Sequence, residues 1–387
     1  MDFDFYVEDA LLKSPKKRAA YSDRTAWLMS VMSWLAYLPF DRQAGPAEVK
    51  ALAQALASER DVPTIIAAIN QLLVPGQGEP ARVELETKLG LVGFKLEKIF
   101  DIRDGLNVDT QAFIARIDLT AKTDAEKTDM LVLAFRGTEP KRLADLRTDL
   151  NLTMTTVKGD TDEEPRVHSG FLNAFLPVRD RINEVIRAHS DLPVFVTGHS
   201  LGGALAVVAT RYIANRSEGA CYTFGAPRIG NEMFFDQIST PLYRVVNASD
   251  GVPAIPPPGW MMKGVTRALR WSRFTRWLVP HFNKFNDYRH MGDPRHLSNA
   301  QRIVDPSGLH AYPGLKLRSG PTIGDRWSSL VDGRMSWLER LRTPLAHHDI
   351  SKYSEKLAYY ALERRARRKR LNASPSVLAE TSEPAER

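Results

Sequence analysis

The residues best suited to chemistry lie in Gly198-His199-Ser200-Leu201-Gly202-Gly203. A serine flanked two positions either side by glycine forms a G-x-S-x-G pattern. That pattern marks a sharp turn from a strand into a helix, with the serine oxygen thrust out of the sheet. Its context supplies both elements: the apolar run Leu192-Pro193-Val194-Phe195-Val196 precedes it, and Ala204 to Ala209 follow it with small, helix-compatible side chains. The turn must be tight, so side chains at Gly198 and Gly202 would collide with neighbouring backbone. His199 completes the turn between strand and serine.

A serine hydroxyl is a poor nucleophile at neutral pH, so it needs a base, and the base needs an orienting carboxylate. In sheets of this kind the acid and then the histidine follow the serine. Asp250 is the best acid, in Asn247-Ala248-Ser249-Asp250-Gly251-Val252-Pro253, beyond the strand pattern 242–247. Carboxyl ends of parallel strands are where such sheets place their sites; the competing reading is a turn aspartate ahead of Gly251. Downstream histidines are His281, His290, His296, His310, His347 and His348. Chemistry alone leaves the base open, although His347 and His348 stand just before the last helical pattern, where a loop can swing an imidazole back. The oxyanion of an attacked ester needs fixed donors. The Leu201 N–H at the start of the helix is one, and Phe135-Arg136-Gly137-Thr138, where a buried strand ends, offers Thr138 as another.

These groups need a scaffold, and the chain has the material for one. It carries 43% hydrophobic residues over 387 positions, enough for a large core, and its one cysteine excludes an internal disulfide and fits a reducing compartment. Helical patterns span 22–38, with Ser22 and Asp23 as caps, and then 46–58 and 62–73, ending at Pro75-Gly76. Val92–Arg103 and Thr110–Leu119 read as strands about Asp104-Gly105, and Met130–Phe135 reads as a strand buried on both faces. A helix at 170–188, the turn strand and its helix, strands at 221–224 and 242–247, and a helix from about Ser351 complete the alternation. The expectation is an α/β protein with a central, mostly parallel sheet flanked by helices.

Net charge is +7, concentrated at 263–289 and in Arg364–Arg370. No nucleic-acid-binding module accompanies these runs, so no nucleic-acid partner is expected. Residues 366–387 read as a basic, disordered tail. The acidic start lacks a secretory pattern, and Ala26–Phe40 is broken by serines and too short to span a bilayer, so a core helix is expected there. A cytoplasmic chain, with or without membrane association, follows as the expectation.

Together these pieces resemble the class 3 lipase family of α/β-hydrolases. Phe135-Arg136-Gly137-Thr138 resembles F-R-G-[ST], and Asp145 to Asp149-Leu150 resembles D-x-x-x-D-L, with Leu146 where Trp is usual. Val167-His168-Ser169-Gly170-Phe171 is similar to V-H-x-G-F, and Phe224 to Asn231 to F-G-x-P-R-[VI]-G-N. Asn247-x-x-Asp250-x-Val252-Pro253 matches the segment with the family's acid. Tyr288-Arg289-His290-Met291-Gly292 resembles Y-x-H-x-G, which makes His290 structural. His348 with Tyr353 resembles H-x-x-x-x-Y, which favours His348 over His347 as base. The resemblance implies an α/β-hydrolase fold with an insert between the catalytic Asp and His, and a serine hydrolase of lipid carboxylic esters, acylglycerol or phospholipid. Its triad would be Ser200, Asp250 and His348, its oxyanion hole Thr138 and Leu201. No metal or organic cofactor is implied. A lipase-fold scaffold without turnover, and a thioesterase or amidase using the same triad, are the alternatives.

The expected domain runs 1–365, with 1–90 as a helical N-terminal part and 254–287 as an insert. Within the insert Arg270-Trp271, Arg273-Phe274 and Arg276-Trp277 repeat on a three-residue step behind Trp260, Met261 and Met262. On an α-helix such a step drifts, so basic and aromatic stripes wind together. Trp and Arg favour bilayer interfaces, so 258–287 is read as a lid or membrane-contact element, against surface packing with solvated arginines. The sequence leaves the oligomeric state open.

Overall fold

The computed structural model describes Leu11 and residues 20–38, 79–104, 108–117, 130–137, 154–157, 164–215, 217–257, 259–271, 273–283, 285–304, 310–320 and 347–372. Helix α1 (Asp23–Leu35) opens at Ser22, whose hydroxyl accepts from the Thr25 N–H at 3.5 Å. Nearly every residue of α1 is buried, as expected of a helix apolar on all sides. Its serines are satisfied inside the core: Ser30 donates to the Trp27 carbonyl at 2.6 Å, and Ser33 bonds Thr197 at 2.8 Å. Of the serines that break the apolar run, Ser33 thus tethers the helix to the sheet, and Ser30 accepts from the Ser354 hydroxyl of the last helix at 2.9 Å.

Eight strands form the main sheet. In chain order they are β1 (Phe94–Asp104), β2 (Val108–Ile117), β3 (Leu131–Phe135), β6 (Val194–His199), β7 (Cys221–Phe224), β8 (Leu242–Asn247), β9 (Asp293–Leu297) and β12 (Leu317–Arg318); β4 (Met154–Thr156) pairs β5 (Arg166–His168), and β10 (Ile303–Val304) pairs β11 (His310–Ala311). The spatial order of the main sheet equals this chain order. β3, β6, β7, β8 and β9 are parallel, while β1, β2 and β12 run antiparallel at the two edges.

Alternate side chains feed two cores. Val132, Ala134, Phe195, Tyr222 and Phe224 face the layer of α1 and the last helix. Leu131, Leu133, Phe135, Val194, Val196 and Cys221 face helices α3 (Ser169–Ala188) and α4 (Leu201–Ile213). The apolar stripe of α3, Phe171, Phe175, Val178, Ile182 and Ile186, follows helical spacing and makes that packing possible. This is the expected α/β-hydrolase architecture. Among the described residues, no helix is long and apolar enough to cross a membrane.

Several elements differ from the sequence reading. Helix α2 (Glu79–Leu91) was not expected after the Pro75-Gly76 breaker; i,i+4 pairs Arg82–Glu86 and Lys88–Glu84 support it. The predicted helices 46–58 and 62–73 lie outside the described residues. The last helix runs Ile350–Asn372, so residues 366–372 are helical and not tail. Arg, Lys, Ala and Leu are good helix formers, and cations suit a helix C-terminus. Upstream, Arg364 pairs with Asp23 of α1 at 2.5 Å.

The insert also departs from a continuous helix. After the short α5 (Glu232–Asp236) and β8, a 3₁₀ turn (Val252–Ala254) leads to α6 (Gly259–Trp271). A second 3₁₀ turn (Arg276–Leu278) then leads into α7 (Val279–Asn283). The helix from Ile350 is α8.

Candidate active site

Register brings the key turns together. Phe135 at the end of β3 pairs with Gly198 of β6, and His199 pairs with Phe224 at the end of β7. Ser200 lies between β6 and α4 at φ 57°, ψ −127°, fully buried. Among the described residues only Ser200 and Ala248 combine a side chain with positive φ, a conformation that costs about 1–3 kcal/mol and must be held by its surroundings. The Ser200 N–H donates to the Phe224 carbonyl at 2.9 Å. A Cβ on Gly202 would run into the Phe135 carbonyl and come within 2.7 Å of the Arg136 carbon; one on Gly198 would strike the backbone of Gly202. Both glycines are thus required by contact, as the motif implied.

The second strained residue, Ala248, sits in the turn that presents Asp250. Its N–H donates to the Leu297 carbonyl at 2.8 Å, and its own carbonyl lies 2.9 Å from His296 Nε2. His290 Nε2 lies 2.7 Å from the Pro253 carbonyl on the far side of the same turn. These two histidines brace the turn, and burial, aided by Arg244 and Arg228, holds His290 well below the usual imidazole range. The side chains of His281 and His310 lie outside the described set.

Asp250 is buried and accepts from three donors. Oδ2 takes the His348 Nδ1–H at 2.8 Å and the Tyr353 hydroxyl at 2.5 Å, and Oδ1 takes the Val252 N–H at 2.9 Å. A carboxylate accepting from Nδ1 leaves Nε2 of a neutral imidazole as the acceptor. His348 Nε2 and Ser200 Oγ are both buried, and neither has a hydrogen-bond partner among the described residues. The structure thus joins Asp250 to His348 directly and leaves the histidine unbonded to the serine. Such bonds are often long before substrate is bound. Gly225, at φ 58°, makes the pairing possible: a Cβ there would lie 2.6 Å from Asp250 Oδ2 and 2.9 Å from His348 Nδ1.

The two adjacent histidines are held differently. His347 turns its Nδ1 to the Ser249 hydroxyl at 2.7 Å, away from the pair. Burial, with the cations of Lys356 and Lys352, lowers its pKa to about 4. Its carbonyl accepts from Asn247 Nδ2 at 2.9 Å, and Asn247 Oδ1 accepts from the buried ammonium of Lys356 at 2.8 Å. The next carbonyl, that of His348, lies 2.5 Å from His199 Nε2. A carbonyl can only accept, so His199 carries its proton on Nε2 and takes the Tyr37 hydroxyl at Nδ1, 2.8 Å away. Burial, and next the neighbouring His348, keep His199 neutral, and its ring stacks on His348 with centroids 4.4 Å apart. Tyr37, Gly225 and Asn247 had no role in the sequence reading beyond motif membership. Gly225 and Asn247 stood in quoted motifs at strand ends, but nothing near Tyr37 pointed to residue 199.

Leu201 opens α4, where backbone N–H groups face away from the helix and favour negative charge. Gly137 lies against Ser200: a Cβ there would be 3.3 Å from Ser200 Cβ and would strike the Tyr37 hydroxyl. Thr138, Asp145 and Asp149 lie outside the described residues. Among the described residues no group of His, Cys, Asp or Glu could hold a metal ion. Cys221 is buried in β7 and its thiol is pushed up to about 12, so it is not a reactive centre.

Sequence comparison finds the family described as Lipase (class 3) matching residues 132–260. A lipase of Rhizopus niveus is 33% identical over 187 residues, 43% of this chain and 44% of that protein. The secreted mono- and diacylglycerol lipase 1 of Fusarium solani is 42% identical over 101 residues, 24% of this chain and 30% of that protein. The chain therefore spans less than half the length of these relatives in the matched regions. The solved structure of lipase II from Rhizopus niveus overlaps 76% of this chain and 90% of its own, with 21% identity and a TM-score of 0.42.

Proposed function

We propose that this chain, which belongs to the class 3 lipase family, hydrolyses carboxylic esters of lipids, acylglycerol or phospholipid, through an acyl-serine intermediate. The observation that carries the reading is the buried Asp250–His348 hydrogen bond, with His348 Nε2 and Ser200 Oγ both unbonded beside it. Ser200 Oγ attacks the carbonyl carbon while its proton passes to His348 Nε2. Asp250 Oδ2 holds the Nδ1–H, so the imidazolium that forms is oriented and stabilised. The oxyanion is met by the Leu201 N–H, with Thr138 as the second donor. His348 then protonates the departing alcohol, and water drawn against the same imidazole releases the acid. His199 acts as a positioning residue, since it grips the carbonyl of the residue whose ring must move protons. The 254–287 segment is read as the domain's insert, which also touches a membrane surface.

The test is a panel of nitrophenyl esters, emulsified triglyceride, phospholipid vesicles, thioesters and amides, assayed with the full chain and with Ser200→Ala. Ester turnover should fall by more than about 10³-fold in the variant. Equal, slow hydrolysis of every ester by both proteins would rule the enzyme reading out in favour of a scaffold. Faster thioester or amide turnover would move the assignment to another leaving group.

A further inference from the structure

The insert from Gly259 to Asn283 is a lobe that faces outward. On α6, Met262 and Thr266 are buried and Val265 and Leu269 half-buried, whereas Lys263, Arg267, Arg270 and Trp271 are exposed. The inner side packs on the 3₁₀ turn and α7 of the same lobe. The Thr275 hydroxyl donates to the Leu269 carbonyl at 3.0 Å, where the α-helix gives way to tighter winding. The three-residue step of the aromatics therefore never travels round a continuous α-helix, contrary to the drift expected from sequence. Trp271 is 98% exposed, Phe274 84% and Trp277 67%. Three large rings this open within one short segment form an apolar patch that ordinary folding does not need.

Charge identifies what the patch would meet. Residues 251–286 contain Lys263, Arg267, Arg270, Arg273, Arg276 and Lys284 and no Asp or Glu. The first five of these cations are exposed. Indole and guanidinium side chains settle at a bilayer's headgroup boundary, and uncompensated cations draw anionic headgroups. Nucleic acid would use the cations but offers no apolar boundary for three exposed rings, and a second copy of the lobe would meet it with like charge.

The base of the lobe is pinned to the chain on either side of it and to the segment after β7. Gly259 packs directly on the Asn286 backbone, Arg289 Nη1 donates to the Asn286 carbonyl at 3.0 Å, and the Arg228 N–H donates to the Ile255 carbonyl at 2.8 Å. The segment leaves the sheet just after the Asp250 turn. We propose that this lobe docks on an anionic phospholipid surface, rings at the headgroup boundary and arginines on the phosphates, and so turns the carboxyl end of the sheet towards lipid. That last consequence rests on the lipid-ester reading; the docking itself does not.

The experiment sediments the full chain carrying Ser200→Ala, so that no lipid is consumed, with vesicles of phosphatidylcholine alone or mixed with phosphatidylglycerol. Partition onto the mixed vesicles should exceed that onto phosphatidylcholine by about tenfold or more. It should fall at least about tenfold in Trp271→Ser/Phe274→Ser/Trp277→Ser and in Arg267→Gln/Arg270→Gln/Arg273→Gln/Arg276→Gln, and raised salt should reproduce the arginine loss. Unchanged circular dichroism and thermal midpoints separate lost docking from lost folding. Equal binding by the aromatic variant, or equal binding to both vesicle types, overturns the proposal. So does lipid-free self-association of the parent chain that the aromatic substitutions abolish. Because the Ser200→Ala protein cannot turn over, failure here is distinct from failure of the ester panel.

Discussion

The turn that carries Asp250 and the lobe that follows it handle their side chains in opposite ways. Around Asp250 the described polar groups are buried and, apart from Ser200 Oγ, His348 Nε2 and His296 Nδ1, bonded: the carboxylate has three donors, and the carbonyls of Pro253, Ala248, His347 and His348 are each met by a side chain. In the lobe the aromatics stand in the open with cations between them. On the proposed reading the difference reflects two demands. Proton transfer needs atoms held to fractions of an ångström, which only a dense network supplies. Surface contact needs exposed area and charge, which internal bonding would consume.

Substitutions in the two regions should therefore diverge, and the largest effect belongs to the carboxylate. Asp250→Asn should lower kcat by about 10⁴-fold with KM little changed, because an amide cannot hold His348 in the Nδ1–H tautomer; steady-state kinetics on a soluble ester measures it. A loss below tenfold would remove Asp250 from the proposed triad. Gly225→Ala comes next. Its Cβ meets both members of the pair and its φ is positive, so a kcat loss of about 10²-fold and destabilisation of about 1–3 kcal/mol are expected by kinetics and urea unfolding.

His199→Asn and Tyr37→Phe probe the clamp on the His348 carbonyl. The expected losses are about 10-fold to 100-fold and about threefold in kcat, with KM unchanged. A rise in KM at constant kcat would show that His199 shapes substrate binding instead. Acid should weaken the same region through its histidines. His347 and His168 each have a folded pKa of about 4, lowered chiefly by burial, and burial lowers His199 and His290 in the same direction. The unfolded chain binds more protons between that value and the ordinary imidazole pKa of about 6.5. Stability present at neutral pH is thus lost as pH falls from about 6.5 to 4, and thermal midpoints across that window measure it. The smallest effect is assigned to the lobe: Trp271→Ser should change stability by less than about 0.5 kcal/mol. A larger loss would mean the ring is packed, and the contrast between the two regions would fail.

Much of this was readable beforehand for reasons that differ by element. The strands β3 and β6 are continuous apolar runs bounded by turn residues, so their burial on both faces shows in composition. Helix α2 was missed because its buried stripe is short, Leu85 and Leu89 within an otherwise charged segment. The end of α8 was misread because a run of arginines looks like a solvated tail, although it also suits a helix terminus. His347 and His348 were separable only by resemblance, since adjacent residues of one type carry no local signal of which ring turns inward.

The glycine-flanked serine turn, an aspartate and then histidines downstream of it, and the acid-free charge of the insert were determined by the sequence alone. Each is a matter of residue type and spacing, and the glycines at 198 and 202 are demanded by a local steric constraint. The tertiary structure alone decided that Tyr37, far upstream, reaches His199, that His199 grips His348, and that Gly225 leaves room for Asp250 to meet the ring. These contacts join residues separated by long stretches of chain, and only strand register and helix packing bring their atoms within hydrogen-bond reach.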